Sequence, residues 1–345
     1  MVTFGAGRAP RIAVIGAGQM GGAMAAQAAR AGAHVTLWDR DSAAIGAIGR
    51  GDPPPRLPGL RLPPQVKACQ SAKDALADAD VVVSAVPTQS VREAWGGIAQ
   101  HMRPGAVLVS TAKGFELRTL LRPTDVLREA LGAAGSKCPV VAMSGPAIAP
   151  EIVRGLPTAM VAASTDHGAR AHACAALASD TLRLYPSDDV IGVETAGAAK
   201  NVIALAAGMV DGMGLGTNAK ATLLARGIAE IARLGLALGG CAETFWGVAG
   251  IGDLATTCFS PDGRNRAFGE RLGSGLSMQQ ARAASGATVE GIDTCTALMA
   301  LRGRHGVEMP ICSAVHAVLS GEQSPRDALV SLMRRSSRPE RLASH

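Results

Sequence analysis

A change of rhythm about halfway along the chain limits its fold more than any other feature. From Arg11 to about Tyr185 short apolar runs alternate with helical stretches, whereas after about Asp189 the periodic segments are all helical. The first pattern builds a parallel sheet with helices on both faces. Its strands are expected at 12–15, 34–38, 81–85, 107–110, 140–143, 159–162 and 181–184, most of them rich in β-branched residues. Residues 51–64 hold six prolines and are expected to form an extended loop. In the second half, helices are expected at 194–210, 219–238, 265–272, 289–304 and 311–319, with Gly239 and Gly240 ending the second of them. On that helix Leu223, Leu224, Ile228, Ile231 and Leu238 supply an apolar face, and Arg226, Glu230 and Arg233 lie at helical spacing on another.

A length of 345 residues fits two domains, and 48% hydrophobic with 18% charged residues suits a globular enzyme. The net charge of +6 is spread out, since no two Lys or Arg residues adjoin before Arg334-Arg335, and only nine aromatic residues are present to stack bases. No nucleic-acid partner is expected, and the basic tail, with Arg338 and Arg341, reads as solvated. Seven scattered cysteines without a C-x-x-C pair signal neither a disulfide framework nor a zinc site, so reduced thiols and no metal are expected. The N-terminus lacks a signal-peptide pattern, and Lys200 and Asn201 interrupt the longest apolar stretch. A cytoplasmic protein that does not insert in a membrane is the expectation.

Gly16-Ala17-Gly18-Gln19-Met20-Gly21 follows the first strand and opens an Ala-rich helix, the context in which a G-x-G-x-x-G string points to a dinucleotide. The glycines permit a tight turn and bring backbone amides close to a pyrophosphate at the positive end of the helix. Asp39 closes the second strand 23 residues after Gly16, near the spacing at which a carboxylate meets the adenosine ribose. A Gly-rich turn with no ligand is the bland alternative. Asp39 repels a 2′-phosphate while neighbouring Arg40 can pair with one, so both NAD and NADP stay open, with a slight lean to tolerance of both.

Lys200 and Asn201 lie in a segment apolar on every side, with Thr195-Ala196-Gly197-Ala198-Ala199 just before them. Desolvation there favours a lysine suited to proton transfer, unless its stem packs and its head reaches water. Asp253, after Gly250-Ile251-Gly252, reads as following a flexible turn and as a possible counter-charge, or else as an ordinary surface residue. Arg264 and Asn265 start a helix after Pro261-Asp262-Gly263, where guanidinium, amide and free N–H groups could grip a phosphate; solvated Arg264 and Arg266 are the alternative. Lys113, in Ser110-Thr111-Ala112-Lys113-Gly114, falls at the strand edge where ligands of open α/β sheets bind, though many loop lysines are merely solvated.

Together these residues make the sequence resemble bacterial NAD(P)-dependent glycerol-3-phosphate dehydrogenase. The resemblance runs from about Ile12 to beyond Leu319, through Ala85-Val86-Pro87, Lys113-Gly114-Phe115-Glu116, Ser144-Gly145-Pro146, Gly155-Leu156-Pro157-Thr158, Gly197-Ala198-Ala199-Lys200-Asn201-Val202-Ile203, Ala249-Gly250-Ile251-Gly252-Asp253-Leu254 and Glu290-Gly291. It implies an α/β Rossmann-type N-terminal domain, here 1–189, followed by an all-α C-terminal substrate domain, here 190–345. The implied reaction is reversible reduction of dihydroxyacetone phosphate to sn-glycerol 3-phosphate, supplying glycerophospholipid synthesis, in a homodimer. By resemblance Lys200 donates the proton, Lys113, Asn201 and Asp253 organise substrate, and Arg264 and Asn265 hold its phosphate. Gly145 matches a substrate contact, and Ala149, Thr288, Glu290 and also Arg264 and Lys113 fall at cofactor positions. Four positions depart from the family's habit: Ala147 and Gly263 replace hydroxyl residues, Met20 an aromatic, and Asp39 a small residue. Two rivals stand beside this reading, a dehydrogenase for another small hydroxy acid and a non-catalytic nucleotide sensor.

Overall fold

The alternation of the first half folds as a single eight-stranded sheet in a computed structural model, which describes residues 8–336 apart from Pro55, Pro58, Ser136, Ala287 and the side chains of 133–135. Arg338 and Arg341 of the basic tail lie outside the described residues. The strands are β1 (Arg11–Ile15), β2 (His34–Trp38), β3 (Val66–Ala68), β4 (Val81–Ser84), β5 (Val107–Ser110), β6 (Val140–Ser144), β7 (Thr158–Ala163) and β8 (Leu182–Ser187), in the order β3-β2-β1-β4-β5-β6-β7-β8. Successive side chains of a strand point to opposite faces. Ile12 and Val14 accordingly pack with Met24, Ala25 and Ala28 of the helix Gln19–Arg30, while Ala13 and Ile15 pack with Trp95, Val126 and Leu127 on the other face. Each large side chain so buried is worth roughly 1.5–3 kcal/mol, and both faces need apolar residues. The reversal of strand order between β1 and β4 makes their carboxyl ends the place where such sheets bind ligands.

Two features depart from the sequence reading. β3 is a three-residue strand just after the proline-rich loop, too short to show a period. The sheet is also not wholly parallel, because β7 runs antiparallel to β6 while β7 and β8 are parallel. The helix joining β6 to β7, Ala149–Arg154, has six residues and so about 9 Å of length, against the roughly 17 Å of a five-residue strand. It cannot carry the chain back to the start of β6. The helix His167–Leu177, at about 16 Å, can do so between β7 and β8.

The second compact unit comprises Ile191 onward together with a short strap, Gly114–Leu120, contributed by the first half. Phe115 of the strap is fully buried in this unit's core. At the centre runs the helix Val190–Gly212, surrounded by Gly216–Ala237, Asp253–Phe259, Arg264–Gly273, Glu290–His305 and Pro310–Leu319. The central helix is long and apolar enough to cross a membrane by composition, and 94% of its apolar window is buried inside the protein. All seven cysteines are free thiols.

Glu230 corrects the expected polar face of Gly216–Ala237. It is 1% exposed and accepts the backbone N–H groups of Ile311 (2.7 Å) and Cys312 (3.2 Å), at the start of a helix that Met309 leaves without a side-chain cap. Burial pushes its carboxyl from 4.5 up to about 7, outweighing the two amides that favour the anion. The folded value lies above the unfolded one, so this stabilising contribution is complete below about pH 4.5 and is lost as pH rises through about 7. Urea unfolding should show a loss of roughly 2–3 kcal/mol from this group between pH 5 and 8. Glu230→Gln, which cannot ionise, should flatten that slope; equal slopes in both proteins would assign it to another group.

Candidate active site

The turn after β1 is built to accept an anion. Gly16 has φ +104, and a Cβ there would press on the Ala85 carbonyl oxygen at 2.8 Å, so only glycine suits the position. A Cβ on Gly21 would fall on the Gly16 carbonyl oxygen, whereas the space beside Gly18 is open. Gly18 caps the helix Gln19–Arg30 without a side chain, leaving the first-turn amides of Gln19, Met20 and Gly21 as the donors a helix cannot satisfy internally. These residues fit a dinucleotide pyrophosphate.

Asp39 lies just beyond β2, half-buried, and accepts the Ala17 amide at 2.6 Å with one oxygen and the Asp41 amide at 2.9 Å with the other. It therefore fixes the glycine turn. Arg40 points to solvent and pairs at 3.3 Å with exposed Glu93. Lys113, just past β5, donates to the Gly145 carbonyl at 3.0 Å, which joins two of the expected substrate contacts. Ala149 begins the helix Ala149–Arg154 and is buried.

In the second unit, Lys200 is 6% exposed and its ammonium binds the carboxylate of Asp253, itself 0% exposed. An unpaired charge at such a place is costly, and this partner offsets the cost. Thr257 completes the cluster. Its hydroxyl donates to the Asp253 carbonyl at 2.7 Å and accepts from the Lys200 ammonium at 2.5 Å. The sequence reading missed Thr257 because it took 250–252 for a flexible turn. Val248–Gly252 is instead one wide, π-type turn that runs into the helix Asp253–Phe259, on which Thr257 stands one turn after Asp253. Gly250 is there for close packing, since a Cβ would strike the backbone of Phe245.

Asn201 follows Lys200 and accepts at 3.0 Å from the side-chain amide of Asn265, whose oxygen takes the Gly291 N–H at 3.0 Å. The helix Arg264–Gly273 begins at Gly263 with no side-chain cap, so its first amides and the Arg264 guanidinium form one polar end. Arg264 donates to the Thr288 carbonyl at 3.2 Å, and Glu290 begins the next helix. Lys200, Asn201, Asp253, Asn265 and the Arg264 turn are thus assembled within one unit from segments up to 65 residues apart in sequence. Among the described residues no group of three or more His, Cys, Asp or Glu could hold a metal ion.

A nucleotide-binding turn at the switch point of a doubly wound sheet, joined to a helical unit with a buried lysine–aspartate pair, defines a two-domain dehydrogenase. Residues 11–170 match the family model described as the N-terminus of NAD-dependent glycerol-3-phosphate dehydrogenase, and residues 189–330 match the C-terminus of the same family. The chain is 47% identical over 332 residues to a glycerol-3-phosphate dehydrogenase [NAD(P)+] of Parafrankia sp., and 42% identical over 332 residues to that of Streptomyces coelicolor, covering 96% of this chain and 98% of each relative. The crystal structure of glycerol-3-phosphate dehydrogenase from Coxiella burnetii aligns with a TM-score of 0.89 and 33% identity, over 95% of this chain and 99% of that one. The chain belongs to the NAD-dependent glycerol-3-phosphate dehydrogenase family.

Proposed function

We propose that this chain carries out the reversible reduction of dihydroxyacetone phosphate to sn-glycerol 3-phosphate with NADH or NADPH, supplying glycerophospholipid synthesis. The observation that carries the mechanism is the buried Lys200–Asp253–Thr257 cluster. The residues assigned to the dinucleotide in this reading are Gly16, Gly18, Gln19, Met20, Gly21, Asp39, Arg40, Lys113, Ala149, Arg264, Thr288 and Glu290. A dinucleotide held by these residues would supply the hydride chemistry that reduction of the carbonyl carbon requires. Lys200 gives the carbonyl oxygen a proton as negative charge develops on it, and takes the proton back in the reverse direction. Asp253 and Thr257 hold the ammonium in one orientation, so little reorganisation accompanies the transfer. Lys113, Gly145 and Asn201 orient the triose, while Arg264 and Asn265 grip its phosphate and spend that remote binding energy on the productive pose.

The test is to follow the absorbance of NADH and of NADPH separately after adding dihydroxyacetone phosphate. No decrease with either would remove the assignment, and turnover of a 3-hydroxy acid instead would favour the hydroxy-acid reading. A nucleotide sensor has no use for a buried proton donor, which weighs against that rival. A homodimer in the cytoplasm is proposed alongside, and a one-chain mass by light scattering would dismiss the dimer.

Asp39 gives a prediction with two parts. Asp39→Ala removes a carboxylate that repels a 2′-phosphate, so the NADPH to NADH ratio of kcat/KM should rise about tenfold, the factor that ~1.4 kcal/mol of repulsion gives. The Ala17 amide also loses its acceptor, so KM should increase for both cofactors. A raised KM with an unchanged ratio would mean that Asp39 holds the turn and does not reach the ribose.

A further inference from the structure

The turn 260–263 leads directly into Arg264 and Asn265, yet the capping residue there is Gly263, which has no side chain to fix the helix start. The turn is held by hydrogen bonds to one residue. Gly263 N–H donates to the Ser260 carbonyl at 3.2 Å, Asp262 N–H to the Ser260 hydroxyl at 3.2 Å, and Arg266 Nε to the same Ser260 carbonyl at 3.0 Å. Arg266 is not the solvated residue that its sequence context allows. Its side chain is 15% exposed, and Nη1 donates to Asp211 at 2.6 Å and lies 3.3 Å from Glu270.

Asp211 is itself fixed, because its two oxygens take the Lys220 ammonium at 2.9 and 2.7 Å, and that ammonium lies 4.9 Å from the centre of the Phe259 ring. Four helices meet in this cluster, Lys220 coming from Gly216–Ala237. Asp211 is on the helix of Lys200 and Asn201, Phe259 and Ser260 end the helix of Asp253 and Thr257, and Arg266 is on the helix that Arg264 and Asn265 begin. The pair is largely shielded from solvent, with the Arg266 and Asp211 side chains 15% and 23% exposed. With Nη1 held by Asp211, the same guanidinium donates through Nε to the Ser260 carbonyl at the start of the turn 260–263.

We propose that Arg266, locked by Asp211, is a positioning residue that sets the orientation of the Arg264–Asn265 phosphate grip. This rests on the reading that those two residues hold the substrate phosphate. Lysine cannot replace it, because a single ammonium lacks the fixed fork that serves Asp211 and Ser260 together.

The experiment compares Arg266→Lys, Asp211→Asn and Arg264→Ala with wild type on dihydroxyacetone phosphate and on phosphate-free dihydroxyacetone. Inhibition by inorganic phosphate and melting temperature are measured on each protein. Arg266→Lys should lower kcat/KM for dihydroxyacetone phosphate about 10- to 100-fold, the scale on which small misplacements act, and weaken phosphate inhibition, with the dihydroxyacetone value within about twofold. Asp211→Asn, nearly isosteric, should shift the same ratio in the same direction and carries the test if Arg266→Lys does not fold. An equal fractional loss on both substrates, or no loss in a folded variant, overturns the proposal. Arg264→Ala separates the two levels: if it leaves the preference for the phosphorylated substrate intact, the phosphate-grip reading itself is wrong. If it abolishes that preference and neither other variant changes it, only the role of Arg266 and Asp211 fails.

Discussion

Lys200→Ala should lower kcat by about a thousandfold, within the range that a positioned proton donor supplies, while the dissociation constants for NADH and NADPH stay within about threefold of wild type. The split follows from where the residues sit. The glycine turn and Asp39 belong to the first unit, and Lys200 belongs to the helix Val190–Gly212 of the second. Removing the amine also leaves the Asp253 carboxylate buried without its cation, so the variant should be less stable by about 3 kcal/mol or more. Lys200→Met with Asp253→Asn, which removes both charges, should regain much of that stability and none of the turnover. Stopped-flow turnover and cofactor titration on the folded proteins decide the matter, and near-normal kcat in either variant would strip Lys200 of its assigned role.

Gly269→Ala should be among the most damaging single-methyl additions in the chain, costing roughly 3 kcal/mol of stability. The helices Val190–Gly212 and Arg264–Gly273 touch backbone to backbone. A Cβ on Gly269 would fall on the Leu205 carbonyl, one on Gly273 on the Met209 carbonyl, and those of Gly208 and Gly212 on the Arg266 and Glu270 backbones. On each helix the two glycines are four residues apart and so lie on one face. Asn265 is one turn before Gly269, and Asn201 one turn before Leu205, so this close approach is what lets the two amides bond at 3.0 Å. Forcing the helices apart should break that bond and raise KM for dihydroxyacetone phosphate in whatever fraction still folds. Wild-type stability in urea together with an unchanged KM would show that the helix pair can shift without consequence.

The strands that could be read in advance are those buried on both faces, such as 107–110 and 81–84, because short valine-rich apolar runs have few other uses. What escaped was decided by contacts between distant segments. Glu230 has the spacing of a solvated face, but the uncapped helix start at Ile311, 81 residues on, supplies the donors that bring it inside. Thr257 was hidden by the glycine-rich stretch before Asp253, in which Gly250 looks like flexibility in one dimension and is a close contact in three. Lys200, Asn201, Asp253, Arg264 and Asn265 were legible because charged and amide groups inside an apolar stretch, or just before a helix, need a reason to be there. Thr257 was not, since it is not unusual where it stands, and for Gly291 only the resemblance and not its bond to Asn265 could be read.

The strap Gly114–Leu120 bears on how such a protein can be divided or recombined. A cut after Val190 separates two stretches of polypeptide, yet the downstream piece lacks the phenyl ring of Phe115 that fills its own interior. The resulting void would cost that piece about 3–5 kcal/mol, a large share of what a domain of this size has to spare. Any chimera between relatives that exchanges the helical half must therefore carry seven residues inherited from the opposite side of the gene.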